Sequence, residues 1–237
     1  MSTLPLLLAI AIMAGHPLAA AVQSKTSRIG KTTVEYRVVL PNNFDAGKSY
    51  PGVLAFSGGL QTMNTVEGTL ARNWREQAEK RGYIVVMPAA PNDELFFEGG
   101  AKVFPEFVTR ILTDYQIQGG KLHIAGVSNG GISAFHIAAS YPQYFLSITG
   151  FPGYLPDASP ARVQGISKMC VSMYAGELDP DWAHDMKQQA DSFKSQGMSV
   201  HFAVEKGQSH RIDTLAGAGA ARLFDFFEES RNGCGKK

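Results

Sequence analysis

Leu122-His123-Ile124-Ala125-Gly126-Val127-Ser128-Asn129-Gly130-Gly131 is the stretch on which the fold turns. After Gly119-Gly120 a short apolar run predicts a buried strand over 121–127. Helical spacing then begins at Asn129 or Gly130 and continues to Tyr141, where Pro142 stops it. Between strand and helix stands Gly-x-Ser-x-Gly, which places Ser128 at the top of a sharp turn. Such a turn forces the serine into strained backbone angles, and a Cβ at either flanking glycine would collide with the neighbouring strand or helix. In a chain with 25 glycines the five-residue pattern alone is weak, and its strand-turn-helix context gives it weight.

Outward from this turn the periodicity alternates. Apolar runs predict strands over 34–40, 53–56, 83–87, 145–149, 169–175 and 200–204, and helical spacing predicts helices over 67–81, 103–115, 182–196 and 213–230. Gly82 supplies the left-handed stop for the first of these helices. Strands that alternate with long helices, most of them unbroken apolar runs, call for an α/β fold with a mostly parallel sheet and helices on both faces. Binding sites in such sheets lie beyond the carboxyl ends of the strands.

Composition narrows the function. The chain has 237 residues, 44% hydrophobic and 18% charged, with 22 Lys plus Arg against 21 Asp plus Glu. That balance excludes a disordered tail or a coiled coil and provides no basic stripe for nucleic acid. Residues 1–21 read as a secretory signal peptide: an apolar block from Leu4 to Ala14 is followed by Ala19, Ala20 and Ala21, although no Lys or Arg precedes it. The mature protein is then one domain over 22–237, secreted or periplasmic, with no stable membrane span once the leader is removed. The two cysteines, Cys170 and Cys234, have no C-x-x-C spacing, and no metal or cofactor is expected.

A serine hydroxyl needs a base to take its proton, and the base needs a third group to hold its tautomer. In this architecture the chain order is serine, acid, histidine. Of the six histidines, only His210 falls on a loop after a strand at the required edge. The acid comes from Gly176-Glu177-Leu178-Asp179-Pro180-Asp181, where Asp179 is preferred, Asp181 is next and Glu177 stays open. An oxyanion needs preorganised N–H donors. Asn129, after the nucleophile, is one, and the turn Ser57-Gly58-Gly59-Leu60-Gln61 offers the other at Gly59 or Leu60.

These segments, with Tyr141-Pro142-Gln143-Tyr144-Phe145, resemble the α/β-hydrolase superfamily. They are most similar to secreted serine esterases such as feruloyl esterases, acetyl xylan esterases and polyhydroxyalkanoate depolymerases. The resemblance implies a hydrolase that acylates Ser128, with His210 as base and Asp179 as its partner, acting on a small-molecule or polymer ester. A peptidase or thioesterase with the same triad, or a non-catalytic binding protein on the same fold, are the alternatives. Ser57 stands where the group usually has histidine, and Arg211 where an aromatic often follows the catalytic histidine. The fold also implies that Cys170 and Cys234 lie at one end of the sheet, which leaves a disulfide or two free thiols open. About twenty residues separate Thr149 from Met169, too few for a sizeable lid. Leu60, Phe97 and Trp182 are the expected substrate-binding residues, with Phe96, Phe151 and Tyr154 on the same rim. No Arg or Lys marks a site for a free carboxylate, so a neutral ester is expected. Oligomeric state stays open.

Overall fold

The computed structural model describes residues 22–234. The expected signal peptide therefore lies outside the described residues. Eight strands form one sheet in the order β1-β2-β4-β3-β5-β6-β7-β8. They are β1 Gln23–Ile29, β2 Thr32–Val39, β3 Gly52–Phe56, β4 Ile84–Pro88, β5 Leu122–Gly126, β6 Phe145–Gly150, β7 Cys170–Gly176 and β8 Val200–Glu205. From β4 to β8 every neighbouring pair is parallel, whereas β1 and β2 join antiparallel.

The parallel strands are apolar because both faces are covered: every residue of β3, β4, β5 and β7 is buried. One face packs Phe56, Phe104, Phe107, Phe135 and Phe193, and the other packs Trp74, Tyr83, Phe224 and Phe227. The helices are α1 Met63–Thr69, α2 Arg75–Arg81, α3 Phe104–Asp114, α4 Asn129–Ser140, α5 Pro160–Ile166, α6 Pro180–Ser195 and α7 Ala221–Arg231. Among the described residues no helix is long and apolar enough to cross a membrane.

The structure corrects four expectations. First, the helix expected over 67–81 starts earlier, at Met63, capped by the Thr62 side chain, which accepts from Thr65 N. It also contains a π-helical turn, Leu70–Trp74, between α1 and α2. Second, the helix expected from 213 begins only at Ala221, because Gly217 takes a positive φ of 53° and the chain there forms two 3-10 turns. Third, β1 was not expected because its residues are polar except Ile29, with no alternating apolar face. Fourth, the seven-residue α5 lies in the stretch between β6 and β7, where no element was expected; no large lid is present there.

Cys170 opens β7 and Cys234 follows α7, and the two are joined by a disulfide with a Cα–Cα distance of 5.3 Å. The bond lies at the amino end of the sheet, opposite the edge that carries Ser128.

Candidate active site

Three strand ends deliver three side chains to one place. Ser128 follows β5 with φ 58° and ψ −125°, a positive-φ conformation that a non-glycine residue adopts only when its surroundings enforce it. The enforcement is visible on both sides. A Cβ at Gly126 would meet Gly130 O at 2.1 Å, and one at Gly130 would meet Ser57 O at 2.4 Å. Ser128 N donates to Pro152 O at 2.8 Å, and Ile132 N donates to Ser128 O at 3.0 Å, so the backbone is fixed from before and after the turn. As N-cap of α4, Ser128 makes no side-chain capping bond, and its hydroxyl is left for another partner.

That partner is His210. Its Nε2 lies 2.8 Å from Ser128 Oγ, and its Nδ1 lies 2.6 Å from Asp179 Oδ2. With the Nδ1 proton donated to the carboxylate, Nε2 accepts from the serine hydroxyl. Asp179 is the N-cap of α6, yet its side chain makes no capping bond and turns to the imidazole instead. Its side chain is 17% exposed and that of His210 44% exposed, so the carboxylate is sheltered while the ring faces the opening. Trp182, one turn into α6, packs edge-on to the His210 ring with centroids 4.9 Å apart.

The acid and histidine loops are tied to each other. Leu178 N donates to Gln208 O at 2.7 Å, and Gly207 N donates to Glu177 Oε2 at 2.8 Å. Glu177, the open alternative for the acid, thus supports the loop, while Asp181 is exposed in the first turn of α6. A Cβ at Gly176 would meet Ser209 O at 2.2 Å, so this glycine permits the two loops to touch. Glu205 anchors the histidine loop from below by accepting from Arg222 at 2.7 and 2.9 Å and from Thr214 Oγ1 at 2.7 Å. The Arg222 bond holds the Glu205 carboxyl below its ordinary range.

The fourth strand end is the turn after β3. Ser57 is fully buried and shares a hydrogen bond with Thr65 Oγ1 at 3.0 Å. Gly59 takes a φ of 60°, and Leu60 beside it is exposed. Two residues that sequence reasoning gave no such part fix this turn. The Asn129 side chain donates to Gly59 O at 2.9 Å, linking the two backbone segments proposed as oxyanion donors. Gln61, fully buried, donates to Ser133 Oγ at 2.9 Å and accepts from Phe96 N at 3.2 Å. Neither the Asn129 nor the Gly59 N–H has a protein acceptor among the described residues.

The rim differs from expectation. Phe96 and Phe151 are core residues, packed on Phe56 and Trp74 respectively. Phe97 is half-buried and lines neither of the two cavities that reach Val127, while Tyr154 packs against Trp182 with centroids 5.2 Å apart. Arg72 and Arg211, to which the sequence reading gave no part, line a cavity of about 400 Å³ that reaches Gly58 and Val127. Their separation in sequence hid this, since only the fold brings the π-helical turn to the histidine loop.

Sheet order, the strained turn and the serine, acid, histidine succession define a member of the α/β-hydrolase superfamily. Within it the chain belongs to the Esterase family, described as "Putative esterase", whose model matches residues 27–221. The chain is similar to the dipeptidyl-peptidase 5 of Porphyromonas gingivalis, at 29% identity over 130 residues. That match takes in 49% of this chain and 19% of the relative, so the chain spans about a fifth of the length of that protein. Among solved structures, a feruloyl esterase module from Clostridium thermocellum, in complex with sinapinate, matches at 18% identity and TM-score 0.67, covering 82% of this chain and 84% of that one. Dienelactone hydrolase from Anabaena variabilis matches at 15% identity and TM-score 0.69, covering 90% and 99%. At these identities both likenesses concern the fold.

Proposed function

We propose that Ser128, His210 and Asp179 act as a catalytic triad that hydrolyses carboxylic esters through an acyl-enzyme. The observation that carries this reading is the imidazole of His210 held between hydroxyl and carboxylate at 2.8 and 2.6 Å. His210 Nε2 takes the serine proton as Oγ attacks the ester carbonyl, and the backbone N–H groups of Asn129 and Gly59 receive the oxyanion. The tetrahedral adduct collapses, the C–O bond to the alcohol breaks, and His210 returns the proton to the departing oxygen. Water then attacks the acyl group by the same route, giving the carboxylic acid and free Ser128. Leu60 and Trp182, flanking the opening, contact the substrate.

The name of the Porphyromonas relatives favours a second reading, in which the same groups cleave a peptide amide. Turnover of p-nitrophenyl esters beside dipeptide p-nitroanilides separates the two, and Ser128→Ala should abolish either activity by roughly a million-fold. A variant that keeps a tenth of the wild-type rate overturns the triad. Export belongs to the same proposal: the Cys170–Cys234 disulfide supports the oxidising compartment that the leader sequence calls for.

A further inference from the structure

Two cavities with cationic walls lie between the π-helical turn and the histidine loop, and the smaller one reaches His210. The larger, about 400 Å³, is lined by Gly58, Thr65, Thr69, Val127, Arg72 and Arg211 among others. The smaller, about 90 Å³, shares Arg72, Val127 and Arg211 and reaches His210. These positions adjoin the whole machinery in sequence: Gly58 precedes Gly59, Val127 precedes Ser128, and Arg211 follows His210. Neither cavity is lined by an aspartate or glutamate.

The two arginines are held differently. Arg72 comes from the π-helical turn, and such turns recur at functional sites because the extra residue redirects side chains. Its Nη2 donates to Ile212 O at 3.2 Å and to Asp213 Oδ1 at 2.5 Å, and the side chain is 22% exposed. Arg211 is 73% exposed, and its recorded partner among the described residues is Asp213, with Nε 3.4 Å from Oδ1. Asp213, itself largely exposed, is thus shared by both guanidinium groups, and one positive charge is left in excess. The terminal nitrogens of Arg211 keep their planar fork for a ligand.

We propose that this cavity binds a carboxylate carried by the ester itself, with Arg211 as the principal contact and Arg72 as a fixed second charge. The proposal rests on Ser128 being the nucleophile, and it replaces the neutral ester expected from sequence. A guanidinium fork matches a carboxylate in two parallel hydrogen bonds. A cavity of this volume suits a small organic acid. The carboxylate sits on either the acid or the alcohol portion of the ester, and two substrate pairs distinguish these sources.

The experiment compares kcat/KM for mono-p-nitrophenyl adipate with p-nitrophenyl hexanoate, and for 4-acetoxybenzoate with phenyl acetate, each corrected for spontaneous hydrolysis. One pair should favour the anionic member by about tenfold, the scale of a hydrogen bond to a charged group. Arg211→Gln should bring that ratio near unity, Arg211→Glu should take it below unity, and about 0.5 M NaCl should shrink it. Arg75→Gln, a solvent-facing arginine paired with Glu79, should leave the ratio as it is. Neutral esters preferred in both pairs, or a ratio untouched by both Arg211 variants, would overturn the proposal while the triad stands. Failure of the enzyme on all four esters would bring down the reading of Ser128, and this one with it.

Discussion

Breaking the Cys170–Cys234 bond should loosen the whole protein without touching its chemistry. The two cysteines are 64 residues apart in sequence, and closing a loop of that length removes about 14 cal/mol/K from the unfolded chain, or about 4 kcal/mol at 25 °C. Cys234→Ser is the gentler variant, because Cys234 is half-buried at the end of the chain, whereas Cys170 is 2% exposed and remains as a small apolar side chain. Unfolding entropy of about 2.1 cal/mol/K per residue over residues 22–234 gives about 0.45 kcal/mol/K near the midpoint, so the loss corresponds to a Tm lower by about 9 °C. Thermal melts followed by circular dichroism, with and without a phosphine reductant, measure it. Wild-type protein under reductant should fall to the variant's Tm, and the variant should ignore the reductant. Ester turnover at 25 °C should stay at the wild-type rate, since the bond lies at the opposite end of the sheet from Ser128. A Tm change below about 2 °C would refute the entropic reasoning, and a large loss of turnover at 25 °C would refute the separation of the two ends.

Two further outcomes are expected. Asp179→Asn should lower kcat about ten-thousand-fold by losing the tautomer that leaves Nε2 as acceptor, while Asp181→Asn should stay within about threefold; the reverse ranking would move the role. Burial, aided by the nearby Arg231, pushes the pKa of His123 down to about 3, and its Nδ1 is paired with Ser147 Oγ at 2.7 Å. An unfolded histidine titrates near about 6.5, so the unfolded chain holds the extra proton between those values. Stability is then complete above about pH 6.5 and falls toward pH 3 by up to about 1.4 kcal/mol per unit. Urea midpoints should show a shallower acid decline in His123→Gln, and an unchanged slope would count against the buried neutral ring.

The site was legible in the sequence wherever local pattern and chain order carried it. Ser128 and Asp179 follow the buried apolar strands β5 and β7, His210 follows the edge strand β8, and parallel strands send their carboxyl ends to one edge, so the meeting of these side chains followed from topology. What escaped was the part that depends on distant contacts. Arg72 joins Arg211 at one cavity only because a π-helical turn packs on the histidine loop, and no local periodicity signals that turn. Asn129 was read for its backbone alone, although its side chain holds Gly59 O. Phe96 and Phe151 were placed at the rim because loops flank them, yet aromatic neighbours draw both into the core. The strand β1 has no buried apolar face to declare it and exists by pairing with β2.

The proposed chemistry depends on a hydroxyl made reactive by an imidazole. Incubation of the folded protein with a fluorophosphonate, followed by intact-mass analysis and peptide mapping, tests this directly. A single adduct on Ser128, absent from Ser128→Ala and much slower in Asp179→Asn, is the expected result. An unmodified serine in folded protein, or an adduct on another residue with Ser128 untouched, would contradict the account.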